Sequence, residues 1–128
     1  MKEVTIEWLK AAEDDLKAAK ALMSEKDLTN VVAFHAQQVI EKCFKAVAEE
    51  NGIAVAKTHD LVRLYRLIHE NIGHLDEEIL YAVNELYIDS RYPGELGLLP
   101  GGKPSTYEAE KFVLFADSML KRIYHNYC

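Results

Sequence analysis

Apolar residues recur at three- and four-residue intervals along most of the chain, the spacing of helices that bury one face. In the first such segment, acidic and basic side chains lie opposite an apolar stripe formed by Trp8, Leu9, Ala12, Leu16, Ala19 and Met23. A second segment runs from about Leu28 to Glu50 and ends in Asn51 and Gly52, which tolerate the left-handed conformation that terminates helices. Its stripe comprises Val32, Ala36, Val39, Ile40, Cys43 and Val47. Both segments are predicted to be amphipathic helices.

A third, shorter helix is predicted from His59 to Asn71. Thr58 can cap it by accepting hydrogen bonds from the first free N–H groups, and Asp60 in its first turn complements the helix dipole. Gly73 follows the last periodic position and is expected to close the helix. Its apolar residues are Leu61, Leu64, Tyr65 and Ile68.

A fourth helix is predicted to begin near Asp76 and to stop at Arg91 or Tyr92, because Pro93 follows. Residues 91–104 hold all three prolines and four of the six glycines of the chain. No regular element is expected to cross that stretch.

The last helix opens with a capping box, in which Ser105 and Glu108 stand three residues apart before an apolar stripe. No stretch alternates apolar and polar residues with period two, so strands are not expected. Short connections after Met23, Gly52 and Gly73 favour antiparallel packing of sequential helices. The predicted fold class is therefore all-α, an up-and-down bundle of four to five antiparallel helices.

Composition agrees with one globular domain over residues 1–128, since 49% of the 128 residues are hydrophobic and 28% are charged. The formal net charge of −6 argues against a general nucleic-acid binder, and no DNA partner is expected, because contacts to phosphate supply most of the affinity of such proteins. A basic patch on part of the surface is compatible with this total.

Cysteine usage and the start of the chain indicate a cytoplasmic protein. Cys43 lies on a helix stripe and Cys128 at the end, without the spacing of a disulfide framework or a zinc site. Charges interrupt the first 15 residues, and no run of 18 apolar residues exists, so neither a signal peptide nor a membrane span is expected. No metal site and no cofactor are predicted.

Three segments resemble the HEPN family: AFHAQQVIEKCFKAVAEENG from Ala33 to Gly52, KTHDL from Lys57 to Leu61, and SRYP from Ser90 to Pro93. The resemblance implies a helical bundle similar to the C-terminal, substrate-binding domain of kanamycin nucleotidyltransferase, and a nucleotide-linked role. Prokaryotic members are often encoded beside a minimal nucleotidyltransferase, and many are homodimers. A ribonuclease branch, which includes toxins of toxin-antitoxin pairs, uses an Arg-x4-6-His motif at the dimer cleft.

Arg63 and His69 match the spacing of that nuclease motif and are the weak nuclease candidates of this chain. Six residues apart on one helix, their side chains point about 120° away from each other, which disfavours a shared reaction centre within one subunit. Arg91, where the family arginine is expected, is not followed by a histidine at the required spacing. The ribonuclease site is therefore interpreted as absent or eroded, and no catalytic residue is assigned.

The polar half of the second helix supplies the candidate interface residues Gln37, Gln38, Glu41 and Lys45, with Phe34 among them. One interpretation is a solvated face, on which Glu41 and Lys45 form an ion pair and Phe34 folds over a neighbour. The other is a subunit or partner interface, with Phe34 as its apolar anchor and the glutamines at its rim. The sequence leaves both open.

Candidate nucleotide- or anion-binding residues gather around the start of the third helix. Because helix four is expected to return toward that start, Arg91 should come back beside Thr58 and His59. There the Arg91 guanidinium, Lys57 and the free N–H groups of helix three could hold a phosphate. The alternative is that these residues only cap and tie the bundle.

Three functional hypotheses follow. The first is a non-catalytic, homodimeric HEPN module that works with a nucleotide and a minimal nucleotidyltransferase, in a toxin-antitoxin-like pair. The second is a metal-independent HEPN ribonuclease that acts on RNA at a dimer cleft. The third is a protein-protein interaction module without a ligand.

Overall fold

The computed structural model describes residues 1–55, 57–91 and 103–127, and for residues 87–91 it describes the backbone alone. Within these ranges there are five helices and no strand, which confirms the all-α prediction. The irregular stretch predicted after Arg91 lies mainly outside the described residues. The helices are α1 (Glu3–Leu22), α2 (Thr29–Glu50), α3 (Leu61–Ile72), α4 (Glu77–Arg91) and α5 (Thr106–Tyr127).

Helix α2 forms the centre of the bundle and packs against each of the other four helices. Its apolar stripe is buried as predicted, and several further positions around the helix are buried as well. Small side chains such as Ala33, Ala36 and Ala46 allow neighbouring helices to approach on more than one side. Because α2 is buried on several sides, part of its polar half is buried as well, including Gln37 and Glu41.

Helices α1 and α2 are antiparallel, as predicted, and both ends of the pair are tied together. Thr5 near the start of α1 donates to the Glu50 carboxylate at the end of α2, with 2.9 Å between the two oxygens. Further along, the carboxylate of Asp15 lies 2.9 Å from Nδ1 of His35. The paired ends place the first turn of α1 beside the last turn of α2.

Helix α3 runs in the same direction as α2, which differs from the antiparallel arrangement predicted for this pair. The amide nitrogen Nε2 of Gln37, in the first half of α2, lies 3.3 Å from the carbonyl oxygen of His59, just before α3. Further along both helices, the rings of Phe44 and Tyr65 are 6.1 Å apart. The physical reason is the connection between the two helices, in which residues 51–55 and 57–60 return along α2 before α3 begins.

Helices α4 and α5 complete the bundle. Asn84 of α4 accepts a hydrogen bond from the backbone N–H of Leu61 at 2.9 Å, so α4 returns toward the start of α3 as predicted. The capping box of α5 is confirmed, because Ser105 and Glu108 exchange two backbone-to-side-chain hydrogen bonds of 3.0 Å. None of the helices in the described part of the chain has the length and apolarity needed to cross a lipid bilayer.

Candidate functional site

The end of α2 reverses the chain in a Schellman turn. Gly52 has a φ of 65°, and the N–H of Ile53 donates to the carbonyl of Ala48 at 2.8 Å while that of Gly52 donates to Glu49 at 3.3 Å. A side chain at position 52 would be strained in this left-handed conformation. The predicted termination at Gly52 is confirmed, and the turn sends the following residues back beside the start of α1.

The start of α1 is fixed to the end of α2 by the carboxylate of Glu50. Its Oε1 accepts hydrogen bonds of 2.9 Å from the backbone N–H of Lys2 and from the hydroxyl of Thr5. Both hydrogen bonds stabilise the charged carboxylate, the bond from Lys2 more than the bond from Thr5, and they hold the pKa of the Glu50 carboxyl below its usual range. The ammonium of Lys2 donates in addition to the carbonyl of Glu49 at 3.0 Å.

A cleft of about 600 Å³ opens between the start of α1, the end of α2 and the reversed segment. Its lining combines apolar side chains, one tryptophan ring and several charges, and consists of Lys2, Trp8, Lys45, Glu49, Gly52, Ile53, Ala54, Val55 and Lys57. Three lysines and one glutamate give this lining a formal charge of +2 in a chain whose net charge is −6. We call this site the basic cleft.

Lys45 connects the basic cleft with a buried carboxylate behind it. Its ammonium lies 5.4 Å from the centre of the Trp8 ring and 3.0 Å from Oε2 of Glu41, one helical turn away. The Glu41 side chain is only 4% exposed. A carboxylate buried to this degree needs charged or hydrogen-bonding partners, and Lys45 is one of them.

The other partners of Glu41 form a polar network under the connection between α2 and α3. Nδ1 of His59 lies 2.9 Å from Oε1 of Glu41, and Gln37 donates to the same oxygen at 3.3 Å. Gln38 donates to the amide oxygen of Gln37 at 2.6 Å. The network therefore joins α2, the connection and, through Lys45, the basic cleft.

These positions correct the predicted interface on the polar half of α2. Gln37 and Glu41 are 0% and 3% exposed, so neither is available to a partner on the surface. The returning connection covers this part of the helix, and Gln38 and Lys45 are half-buried beside it. Phe34 is half-buried too, and its ring packs edge-on against that of His35, with 5.5 Å between the centres.

The start of α3 is capped from within the protein. Oδ1 of Asp60 accepts from the backbone N–H groups of Val62 and Arg63 at 3.0 and 3.2 Å, while Asn84 accepts from that of Leu61. These are the groups that an anion at this helix terminus would need. The N–H groups expected to be free for a phosphate at the start of α3 are therefore paired with the protein's own oxygens.

Thr58 is not the cap of α3, contrary to the prediction, and α3 begins at Leu61 rather than His59. The Thr58 hydroxyl accepts from the backbone N–H of Asp60 at 3.1 Å and so shapes the turn before the helix. His59 is held toward Glu41 and remains half-exposed, at 53% of its side-chain surface. Among the predicted anion-binding residues whose side chains the structure describes, only Lys57 lines the basic cleft.

Arg91 lies beyond the point at which α4 passes the start of α3. Asn84 is the residue that contacts Leu61 and Asp60 there, and Arg91 follows seven residues later. At 1.5 Å per residue this is about 10.5 Å further along the helix. The predicted return of α4 toward the start of α3 is correct, but Asn84, and not Arg91, is the residue of α4 that lies there. The side chain of Arg91 is outside the described part of the structure.

The nuclease candidates Arg63 and His69 are both exposed on α3. Nδ1 of His69 lies 3.1 Å from the carbonyl oxygen of Arg66, and its ring packs edge-on against Tyr65. No contact among the described residues joins the side chains of Arg63 and His69, in line with their divergent directions on one helix. The described chain also contains no cluster of three or more residues suited to a metal ion.

Cys43 is fully buried, and burial raises the pKa of its thiol well above the usual range. The protonated thiol is a poor nucleophile, so this cysteine belongs to the core as its stripe position predicts.

Sequence reasoning missed Lys2 and Trp8 as parts of a site. Trp8 was expected in the core stripe of α1, and it is half-buried at the edge of the basic cleft. The Asn51–Gly52 ending predicted a chain reversal, but the surface that the reversed segment would meet could not be inferred from it.

Comparison with known proteins decides the family. The HEPN domain family matches residues 5–126, nearly the whole chain. The chain belongs to the HEPN family. The resemblance carried by the segments from Ala33, Lys57 and Ser90 is thereby confirmed. A comparison with curated proteins gives no match.

Two crystal structures have the same HEPN fold. TT1696 from Thermus thermophilus superposes with a TM-score of 0.81 at 23% identity, covering 98% of this chain and 99% of its own. ST0689, an archaeal HEPN homologue, gives 0.70 at 24% identity, covering 98% of each chain. Both comparisons support the five-helix HEPN architecture over essentially the whole length.

Proposed function

We propose that this HEPN protein is a non-catalytic module that binds a nucleotide in the basic cleft and works as a homodimer. The observation that carries the proposal is the combination of Lys2, Lys45 and Lys57 with the Trp8 ring in one cleft. A nucleotide has the matching chemistry, since its phosphates are anionic and its base is a flat aromatic surface. The minimal nucleotidyltransferase partner and a toxin-antitoxin-like pairing are proposed from membership of the family.

Charge favours an anionic ligand at this place. The chain has a net charge of −6, yet the lining of the basic cleft carries a formal +2, or +1 once the Glu41 carboxylate behind Lys45 is counted. Lys57 is exposed in the segment after the Schellman turn, where its flexible stem can follow a phosphate. A charge-assisted hydrogen bond of this type contributes about 1.5 to 3 kcal/mol.

The size and the apolar part of the cleft favour a nucleoside over a bare anion. Its volume of about 600 Å³ is typical of sites for small molecules. Ile53 and Val55 are half-buried there, and together with Trp8 they offer apolar surface to a base. A base stacked on an aromatic side chain gains about 1 to 3 kcal/mol.

The non-catalytic part of the proposal rests on the separation of the residues that the ribonuclease branch would use. Arg63 and His69 point to different sides of α3, and Cys43 is a buried, protonated thiol. A binding role requires no such set of reacting side chains in the basic cleft.

Calorimetric titration of ATP at low salt tests this function. We expect saturable binding by the wild type and at least about tenfold weaker binding by Lys57→Ala, because one charge-assisted hydrogen bond is lost. Lys17→Ala is the matched control, since Lys17 is an exposed lysine of α1 that does not line the cleft. Absence of heat from the wild type, or equal affinity of all three proteins, would contradict the proposed function.

A further inference from the structure

Glu41 is a single buried carboxylate shared by two basic side chains on its two oxygens. Oε2 lies 3.0 Å from the Lys45 ammonium, which faces the basic cleft, and Oε1 lies 2.9 Å from Nδ1 of His59. The Lys45 and Glu41 side chains are 17% and 4% exposed, whereas that of His59 is 53% exposed. Solvent therefore reaches the histidine, while the carboxylate it contacts is inside the protein.

We propose that Glu41 couples the protonation of His59 to the anion affinity of the basic cleft, by releasing Lys45 when His59 is charged. With neutral His59, Lys45 is the only cation that balances the Glu41 carboxylate among the contacts described. With protonated His59, the imidazolium balances Glu41, and the Lys45 ammonium becomes an unmatched positive charge beside Trp8. The proposal rests on the proposed function in naming the cleft as the anion site.

The direction of the effect follows from the charges. A fall in pH favours the protonated, charged form of the His59 imidazole. Lys45 is then freer to bind an anion, and affinity rises. By linkage, a bound anion must raise the proton affinity of His59 by the same factor. Low local dielectric around a buried carboxylate strengthens both interactions.

Several other charged groups in the described part of the chain lie near this relay. Lys57 and Asp60 flank His59 along the connection, and α4 contributes the neutral amide of Asn84, which is bonded to Asp60. On the cleft side, Lys2 and Glu49 face Lys45 across the lining. The charge of the Met1 α-amino group also acts on the Glu50 carboxylate at this end of α1. The part of a pH response that belongs to His59 is therefore identified by comparison with His59→Gln.

The first test needs no ligand, because Trp8 is the only tryptophan of the chain and Lys45 lies over its ring. We expect the Trp8 emission of the wild type to change in a single step as the pH is lowered, because Lys45 is released. His59→Gln keeps an amide donor for Glu41 but cannot gain the charge, so its step should be absent. His69→Gln is the matched control and should retain the step. A wild type without a step, or a step that persists in His59→Gln, would overturn the coupling.

A second measurement distinguishes this inference from the proposed function. ATP affinity of the wild type should be about fivefold or more higher at pH 6 than at pH 8, a typical size for coupling between sites. In His59→Gln the part of the pH dependence that comes from His59 should be absent. The pH dependence of affinity that remains comes from protonation of the ATP phosphates. Equal pH dependence in both proteins contradicts the coupling alone. Failure of ATP to bind at any pH contradicts the proposed function, while the emission step of Trp8 still decides the coupling.

Discussion

Gln37 shows at the scale of one residue how the polar network is held together. Its side chain has no exposed surface, and its amide nitrogen donates to Oε1 of Glu41 and to the carbonyl of His59, both at 3.3 Å. Its amide oxygen accepts from Gln38. Because water cannot replace these bonds in the interior, each group that loses Gln37 incurs the desolvation penalty of a buried polar atom.

Gln37→Ala is predicted to lower the free energy of unfolding by about 1 to 3 kcal/mol, the cost of leaving buried partners unsatisfied. Gln38→Ala is the matched control and should cost less, since Gln38 is half-buried and solvent can reach part of its surroundings. Urea denaturation of the three proteins measures both values. A loss below about 0.5 kcal/mol for Gln37→Ala, the range of surface substitutions, would contradict a structural role for the network.

The helical wheel of α2 predicts polar positions at Gln37 and Glu41 correctly but cannot predict their burial. Burial there depends on the connection between α2 and α3, which covers one polar side of α2. Asn51 and Gly52 predict the chain reversal because they tolerate the left-handed backbone conformation. Which face of α2 the reversed segment covers depends on long-range packing. The same limit explains why Trp8 was predicted only as a core residue.

At the scale of elements, the start of α3 is fixed by two side chains from different parts of the chain. Asp60 accepts from Val62 and Arg63 within its own helix, and it also accepts from the amide of Asn84 at 3.0 Å. Asn84 in turn accepts from the backbone of Leu61. This exchange aligns α4 with α3 and leaves no N–H groups for an anion among these first-turn residues.

Asp60→Ala is predicted to destabilise the protein by about 1 kcal/mol, within the range of about 0.5 to 2 kcal/mol measured for helix caps. Asp60→Asn should stay close to the wild type, because asparagine caps helices as well as aspartate does and keeps the accepting oxygen. Thermal unfolding of both variants provides the comparison. An alanine variant as stable as the asparagine variant would show that Asp60 does not cap α3.

Periodicity predicted the five helices because their stripes are local features of the sequence. Their ends were predictable where capping chemistry is unambiguous, as in the pair Ser105 and Glu108 or at Gly52. Before α3, Thr58 and Asp60 stand two positions apart and both suit a helix cap. Asp60 is the cap because of the conformation that the connection adopts in the folded protein. The parallel course of α2 and α3 was missed because a long enough connection can reverse the expected direction.

At the scale of the whole molecule, the two most exposed large apolar side chains among the described residues both lie on α5. Tyr107 and Leu114 are 72% and 63% exposed and stand two helical turns apart, on the same side of the helix. Phe34, the apolar anchor of the interface predicted on α2, is half-buried against its own subunit. The α5 face therefore offers more apolar area to a second copy than Phe34 does.

The proposed homodimer is predicted to form through the α5 face. Leu114→Glu should weaken it by at least about tenfold, because a charge would have to be buried without a partner. Leu67→Glu is the matched control, since Leu67 is an exposed leucine of α3, at 43%. Light scattering over a concentration series gives the dissociation constants. A monomeric wild type, or a dimer unaffected by Leu114→Glu, would exclude this interface.

The central claim is that the basic cleft binds a nucleotide, and titration of ATP followed by Trp8 emission tests it most directly. The single tryptophan lines the cleft, so its emission responds to binding there. We predict a saturable change in emission that weakens with salt and shifts at least about tenfold in Lys57→Ala but not in Lys17→Ala. Emission that stays constant as ATP is added, or identical curves for Lys57→Ala and the wild type, would contradict the claim.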